Sequence, residues 1–362
     1  MRKKKAALYN PYLDILGGGE RHILSIMQVL EKDGYDVDIF WNTNLAPEIE
    51  TKFGLTFQNL QFRQNIFGEG LNSIQKAIEL KKYDIFLYVT DGSYFGSFAK
   101  QNFVFCMVPD KKLYSQSMLN KLKRINWRFI TNSRFTQYHL KNWGIQATVV
   151  YPYLDSQFLD TKIENIKKDK IILSVGRFFG HLHSKKHEVA INTFKLIKGK
   201  NILFKDFKLI IAGGLQNSDK EYFEKLVEMA KDDPSIILSP NVSYSNLMAL
   251  YDKSLIFWHM TGLGVDANLY PEQTEHLGIT PLEAMAKGCV TFAPNVGGPK
   301  ELISDGQTGF LFSTEKELIE KTEYAVENPD ISKTIAKSAH TFVAKSFNYD
   351  VFSQTVKKVL IS

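Results

Sequence analysis

AALYNPYLDILGGGERHILSIMQVLEKDGYDVDIFW, residues 6–41, contains a strand, a glycine turn, a helix and a second strand in sequence. Ala6–Tyr9 is a short apolar run stopped by Asn10 and Pro11, the pattern of a buried strand. Ile23, Ile26, Met27 and Leu30 then recur at the spacing of one helix face, and Gly34 closes that helix. Val37–Trp41 resumes as a strand. Strands joined through a helix run parallel, because a two-residue hairpin cannot bring a chain back to the same end of the sheet.

The alternation continues outward from this unit. Ile85–Val89, Phe103–Met107, Phe129–Thr131 and Ala147–Val150 read as further strands. The pattern breaks over Tyr151–Lys170, with Pro152 followed by a polar, lysine-rich stretch that reads as a linker. A second series follows, with strands at Ile171–Val175, Lys208–Ala212, Ile236–Leu238, Leu255–Trp258 and Cys289–Ala293. Helices at Glu188–Leu196, Lys220–Ala230, Tyr244–Tyr251 and Pro281–Lys287 alternate with them. The expected fold is α/β, two doubly wound Rossmann-like domains with ligand held between them, since such sheets bind at the carboxyl ends of their strands. The expected bounds are 1–165, 166–345, and a final helix over 346–362 returning to the first domain.

Composition is compatible with that reading. The 362 residues are 44% apolar and 23% charged, enough for about two domains of roughly 100–200 residues. The net charge of +6 suits an anionic substrate or membrane surface but is too diffuse to indicate nucleic acid. Cys106 and Cys289 are far apart and form no CxxC pair, so neither a zinc site nor a disulfide framework is expected. Met1-Arg-Lys-Lys-Lys5 resembles the basic end of a signal peptide, yet the apolar run before Pro11 is too short for a signal core. No apolar run approaches the ~18 residues of a membrane span. These features lead us to expect a cytoplasmic protein, at most peripheral on the cytoplasmic face of a membrane.

The chemistry concentrates in EHLGITPLEAMAKG, residues 275–288. Thr280-Pro281-Leu282-Glu283 reads as a helix start: threonine as cap, proline at the first helical position, glutamate completing a capping box. Gly288 would end the helix. Amides of Gly278, Ile279, Thr280 and Leu282, with the helix dipole, would make a phosphate site needing no side-chain charge. Taken alone, a Thr-x-x-Glu reads as a plain cap, since capping boxes are common.

Glu275-x7-Glu283 within this stretch, with Trp258–Gly264 ahead of it, resembles the signature of retaining family 4 glycosyltransferases of GT-B fold. The resemblance implies two such domains facing a cleft. It also implies that Glu275 faces the transferring sugar, that Gly278–Thr280 hold the distal phosphate of a nucleotide sugar, and that Glu283 binds the ribose hydroxyls. Ser174-Val-Gly-Arg177 with Lys185-Lys186 is similar to the family pair that neutralises the donor pyrophosphate. Arg177 and Lys185 take those roles, with Lys186 as an alternative to Lys185. His181 and His183, two apart on a loop, lack the carboxylate or cysteine company of a metal site, and no Asp-x-Asp motif accompanies the donor segment. No metal and no cofactor are therefore expected.

Gly17-Gly-Gly19-Glu-Arg21 lacks the GxGxxG spacing of a dinucleotide site, which disfavours an NAD-dependent oxidoreductase. It resembles the family's GG-x-E-R loop, which places Gly18 and Gly19 near the donor phosphates; as a turn needing positive φ it is also plain structure. Asn132–Thr136, Val149–Pro152, Gly297-Gly298, Asp305–Phe310 and the last helix near Tyr349–Leu360 follow family order, so the resemblance covers essentially the whole chain. Asn241–Val242 would lie by a guanine or uracil base, with Val242 as the donor contact. On the acceptor side, Phe105–Asp110 has no histidine where relatives often carry one. Asp91 either touches acceptor or sugar or merely starts a turn. The stretch 111–128 interleaves basic and apolar residues and fits either an anionic membrane or a solvated helix face.

The resemblance implies a retaining, metal-independent hexosyltransferase moving sugar from a GDP- or UDP-linked donor to a glycan or lipid-linked acceptor. The alternatives are a catalytically silent nucleotide-sugar-binding partner subunit and a sugar-nucleotide epimerase.

Overall fold

A computed structural model describes residues 3–68, 71–161, 163, 167–180 and 184–361. Contacts divide the chain into two units, residues 1–153 with 349–362, and residues 154–348.

In the first unit the chain runs β1 (Lys4–Tyr9), α1 (Gly18–Lys32), β2 (Tyr35–Phe40), α2 (Ala46–Phe53) and β3 (Leu60–Arg63). It continues through α3 (Ser73–Leu80), β4 (Ile85–Val89), β5 (Gln101–Cys106), α4 (Met118–Lys123), β6 (Trp127–Thr131), α5 (Arg134–Asn142) and β7 (Ala147–Val149). The seven strands form one parallel sheet ordered β3-β2-β1-β4-β5-β6-β7. The central strand β4 is buried over its whole length and β1 over Ala6–Leu8, which is why these stretches read as continuous apolar runs. Ile23, Ile26, Met27 and Leu30, the periodic face of α1, are fully buried in the core of this unit.

The second unit runs α6 (Ser156–Leu159), β8 (Asp169–Val175), α7 (His187–Lys200), β9 (Lys208–Gly213), α8 (Lys220–Ala230) and β10 (Ile236–Pro240). Then come α9 (Tyr244–Lys253), β11 (Ser254–Trp258), α10 (Ile279–Ala286), β12 (Val290–Pro294), α11 (Pro299–Leu302) and β13 (Phe310–Phe312). α12 (Glu315–Glu327) and α13 (Pro329–Ser346) finish it. Its six strands are parallel in the order β10-β9-β8-β11-β12-β13. The last helix, α14 (Tyr349–Leu360), returns to the first unit, where Phe352, Val356 and Leu360 are buried in its core with α1.

The two doubly wound α/β sheets and the returning helix agree with the sequence reading. The sequence reading missed β3 and β13. Both are short edge strands: β3 alternates half-buried and exposed residues and leaves no apolar run, and the buried run of β13 is only three residues long. The stretch expected as a linker is partly folded: α6 buries Phe158 against the rings of Tyr244 and Tyr251. Cys106 and Cys289 are buried, free thiols. Among the described residues no helix is long and apolar enough to cross a membrane.

Candidate active site

The second sheet reverses its winding between β8 and β11, and ligands of open α/β sheets bind outside such a switch point. β8 delivers Gly176-Arg177 there and β11 delivers His259. Three side chains meet beyond these strand ends. Lys185 Nζ donates to Glu275 Oε2 at 2.6 Å, and His259 Nε2 lies 3.4 Å from the same oxygen without closing a hydrogen bond. Lys185 and Glu275 keep 24% and 20% of their side-chain surface, so a ligand can reach both, whereas His259 is buried.

Burial alone would raise the Glu275 carboxyl. The Lys185 charge outweighs it and holds that carboxyl well below the usual range. Burial pushes His259 down, against the pull of Glu275, so it stands as a neutral imidazole. The cluster presents an ionised acceptor paired with a lysine cation.

Backbone geometry fixes where Glu275 sits. The Gly298 N–H donates to the Glu275 carbonyl at 2.7 Å, and a Cβ on Gly298 would lie 2.3 Å from Leu277 Cα. Only glycine permits that approach. Three residues after Glu275, Gly278 takes φ 106°, a region open to glycine and strained for other residues, and α10 begins at Ile279.

This start corrects the capping reading. Thr280 is not the N-cap and Thr280–Glu283 form no capping box; Gly278 is the cap, with no side-chain hydrogen bond. The local preference of Thr-Pro lost to Gly278, whose positive φ turns the chain two residues earlier. Pro281 is tolerated at the third helical position because first-turn N–H groups have no intrahelical partner there. Leu282 is also corrected: its N–H makes the first intrahelical bond, to the Gly278 carbonyl at 3.3 Å. The amides of Ile279 and Thr280 precede that bond and lie at the positive end of the helix. Glu283, freed from capping, accepts from the buried Tyr251 hydroxyl at 2.8 Å.

Lys185 and Lys186 face different ways. Lys186 is left-handed, at φ 49°, and its ammonium donates to the Leu263 carbonyl, while Lys185 turns to Glu275. Arg177 is exposed and stacks over Phe179 with 5.2 Å between guanidinium carbon and ring centre. Val242 follows β10, next to Asn241, whose side chain bonds the Leu215 backbone. His181 and His183 lie outside the described residues, among which no three His, Cys, Asp or Glu side chains gather as a metal site requires.

The remaining candidates belong to the first unit. Gly18 has open space where a Cβ would stand, but a Cβ on Gly19 would meet Met107 Sδ at 2.3 Å. Asp91 Oδ1 accepts from the Tyr88 hydroxyl at 2.5 Å and from the Ser93 backbone at 2.9 Å, so it closes its own turn.

Sequence reasoning passed over His259 and Tyr251. His259 stood in the quoted Trp258–Gly264 stretch, at a strand end. Tyr251 left no signal, because its partner lies 32 residues away.

The glycosyl transferases group 1 profile matches residues 155–342, more than half of the chain. The alpha-1,3/1,6-mannosyltransferase ALG2 of Dictyostelium discoideum is 27% identical over 304 residues, covering 71% of this chain and 69% of that protein. A mouse GDP-Man:Man(3)GlcNAc(2)-PP-Dol alpha-1,2-mannosyltransferase is 30% identical over 203 residues, covering 52% of this chain and 38% of that protein. The chain spans roughly two thirds of the length of the ALG2 proteins it matches. A glycosyltransferase structure from Rickettsia africae ESF-5 superposes with a TM-score of 0.74 at 19% identity, over 99% of both chains, and shares the fold. With a switch-point cluster built on the Glu275–Glu283 segment and a profile match across the unit that carries it, the chain belongs to the group 1 glycosyltransferases.

Proposed function

We propose that this glycosyltransferase moves a hexose-type sugar from a GDP- or UDP-linked donor to a hydroxyl of a glycan or lipid-linked acceptor, retaining the anomeric configuration without a metal. The observation that carries the reading is the Lys185–Glu275 pair, 2.6 Å apart beside the uncapped start of α10. The relatives' names motivate mannose, and one of them specifies a GDP-linked donor and a PP-Dol acceptor.

In this reading the Gly278–Thr280 end of α10 receives the distal phosphate, and Glu283, oriented by Tyr251, accepts the ribose hydroxyls. Val242 borders the base. Lys185 leaves Glu275 for the diphosphate, which frees the carboxylate for sugar hydroxyls. As the glycosidic C–O bond breaks, negative charge grows on the departing phosphate oxygen, and Lys185 with Arg177 offsets it. That oxygen takes the proton of the incoming acceptor hydroxyl. The first unit serves as the acceptor side, with Gly18 and Gly19 toward the donor phosphates and Asp91 toward the acceptor. A cytoplasmic setting, including the cytoplasmic face of a membrane, goes with this reading.

The test is transfer from a panel of nucleotide sugars, GDP-mannose and UDP-glucose among them, with the product anomer read by NMR and with chelator present. Glu275→Ala and Lys185→Ala each lower transfer by at least about a hundredfold, as loss of a group that stabilises transition-state charge does. Wild-type rates in both variants overturn the assignment. Donor binding without turnover across the panel indicates a silent partner subunit, and acceptor-independent conversion of the donor indicates an epimerase.

A further inference from the structure

We propose that α4 and its flanks form a docking surface for an anionic lipid bilayer. α4 buries none of its residues. Met118, Leu119, Leu122 and Ile125 are 79%, 62%, 58% and 82% exposed, and their spacing sets them along one side of the helix and its exit. An amphipathic helix in a globular domain turns such a stripe to the core, and this one does the reverse. Phe98, 61% exposed, extends the patch: the Asn126 side chain donates to the Ser97 carbonyl at 2.8 Å and holds the two segments side by side.

The segment is anchored from its other side. Arg124 is buried, donates to Gln116 at 2.8 Å, and lies over the rings of Tyr94 and Phe129. The apolar stripe is therefore presented by a fixed helix.

Charge selects the occupant. Lys111, Lys112, Lys121, Lys123 and Arg128 are exposed, and none of them enters an ion pair among the described residues. Between Asp110 and Asp155 the sequence has no Asp or Glu. A second copy docking through a two-fold axis would set these cations against one another. A bilayer with anionic headgroups takes up both features: apolar side chains enter the acyl boundary, and each basic side chain near the surface adds about 1 kcal/mol. The inference does not depend on the sugar-transfer reading, since these residues are separate from Lys185, Glu275 and α10.

Sedimentation of the full chain with vesicles tests it. Binding to phosphatidylcholine vesicles containing phosphatidylglycerol should exceed binding to phosphatidylcholine alone by at least about tenfold and fall as salt rises. Leu119→Glu/Leu122→Glu and Lys121→Glu/Lys123→Glu should each lower it by at least about tenfold at an unchanged melting temperature. Equal binding to neutral vesicles, no binding to either kind, or indifference to both double variants overturns the proposal. So does a concentration-dependent dimer that Leu119→Glu/Leu122→Glu abolishes, which would make a second copy the occupant. Binding to RNA in preference to anionic vesicles would likewise overturn it.

Discussion

The two units each start a helix just after glycine, and they finish the job differently. At α1 the Gly17 N–H donates to Glu20 Oε2 at 2.8 Å, and Glu20 is buried at 4% exposure, so the helix carries its own anion over its first turn. At α10 no side chain caps the first turn. Both nearby carboxylates are engaged elsewhere, Glu275 with Lys185 and Glu283 with Tyr251. One helix start keeps its own carboxylate at its entry, and the other has its nearby carboxylates paired away, which in our reading leaves it for an anion.

The largest way to probe the two units apart from catalysis is pH. Burial pushes His187 in the second unit down to about 4, and burial with the Arg21 charge pushes His22 in the first down to about 3. Their folded pKa values lie below the ordinary ~6.5, so the unfolded chain takes up protons first as pH falls, and stability is lost from about pH 6.5 downward. Each histidine should cost about 2 kcal/mol between pH 7 and pH 5, read by denaturant unfolding. Glu275, held low, adds stability that is lost only below about pH 4.3, outside that window. His187→Gln should remove the His187 share of the second unit's dependence and leave the share of His259, which burial also pushes down. Stability that stays level from pH 7 to pH 5 would contradict the neutral burial of both rings.

Next in size is Gly278→Ala, which forces a side chain into φ 106° and should cost about 1–2 kcal/mol while weakening nucleotide binding. Unchanged nucleotide affinity with lowered stability would leave α10 as structure alone and erase the contrast with α1. Glu20→Ala should cost about 1 kcal/mol of helix stability, seen as a lower melting temperature, without loss of nucleotide affinity. Smallest is Gly18→Ala, where open space receives the Cβ and stability should change by less than about 0.5 kcal/mol. A sharp fall in donor affinity there would show that the α1 loop does meet the donor phosphates, and the comparison would need redrawing.

Much of the fold was legible because its signals are local. The α1 face at Ile23, Ile26, Met27 and Leu30 is buried as its spacing requires, and the apolar run Ile85–Val89 is the buried strand β4. The edge strands β3 and β13 were not legible, since β3 is only half apolar and the apolar run of β13 is too short to stand out. Thr280 misled because its capping preference is real but local, and the backbone at Gly278 had already set the turn.

The sequence by itself determined two α/β halves and the Glu275–Glu283 segment, since periodicity, helix signals and a contiguous motif depend only on neighbours along the chain. The tertiary structure alone decided which charges meet. Lys185 finds Glu275 across 90 residues, because strand order carries their loops to the same end of the sheet, and Tyr251 on α9 finds Glu283 on α10 across 32. No pattern in the chain encodes those distances. They follow from the parallel crossovers, which place the ends of β8 and β11 side by side and leave the first turn of α10 without a cap.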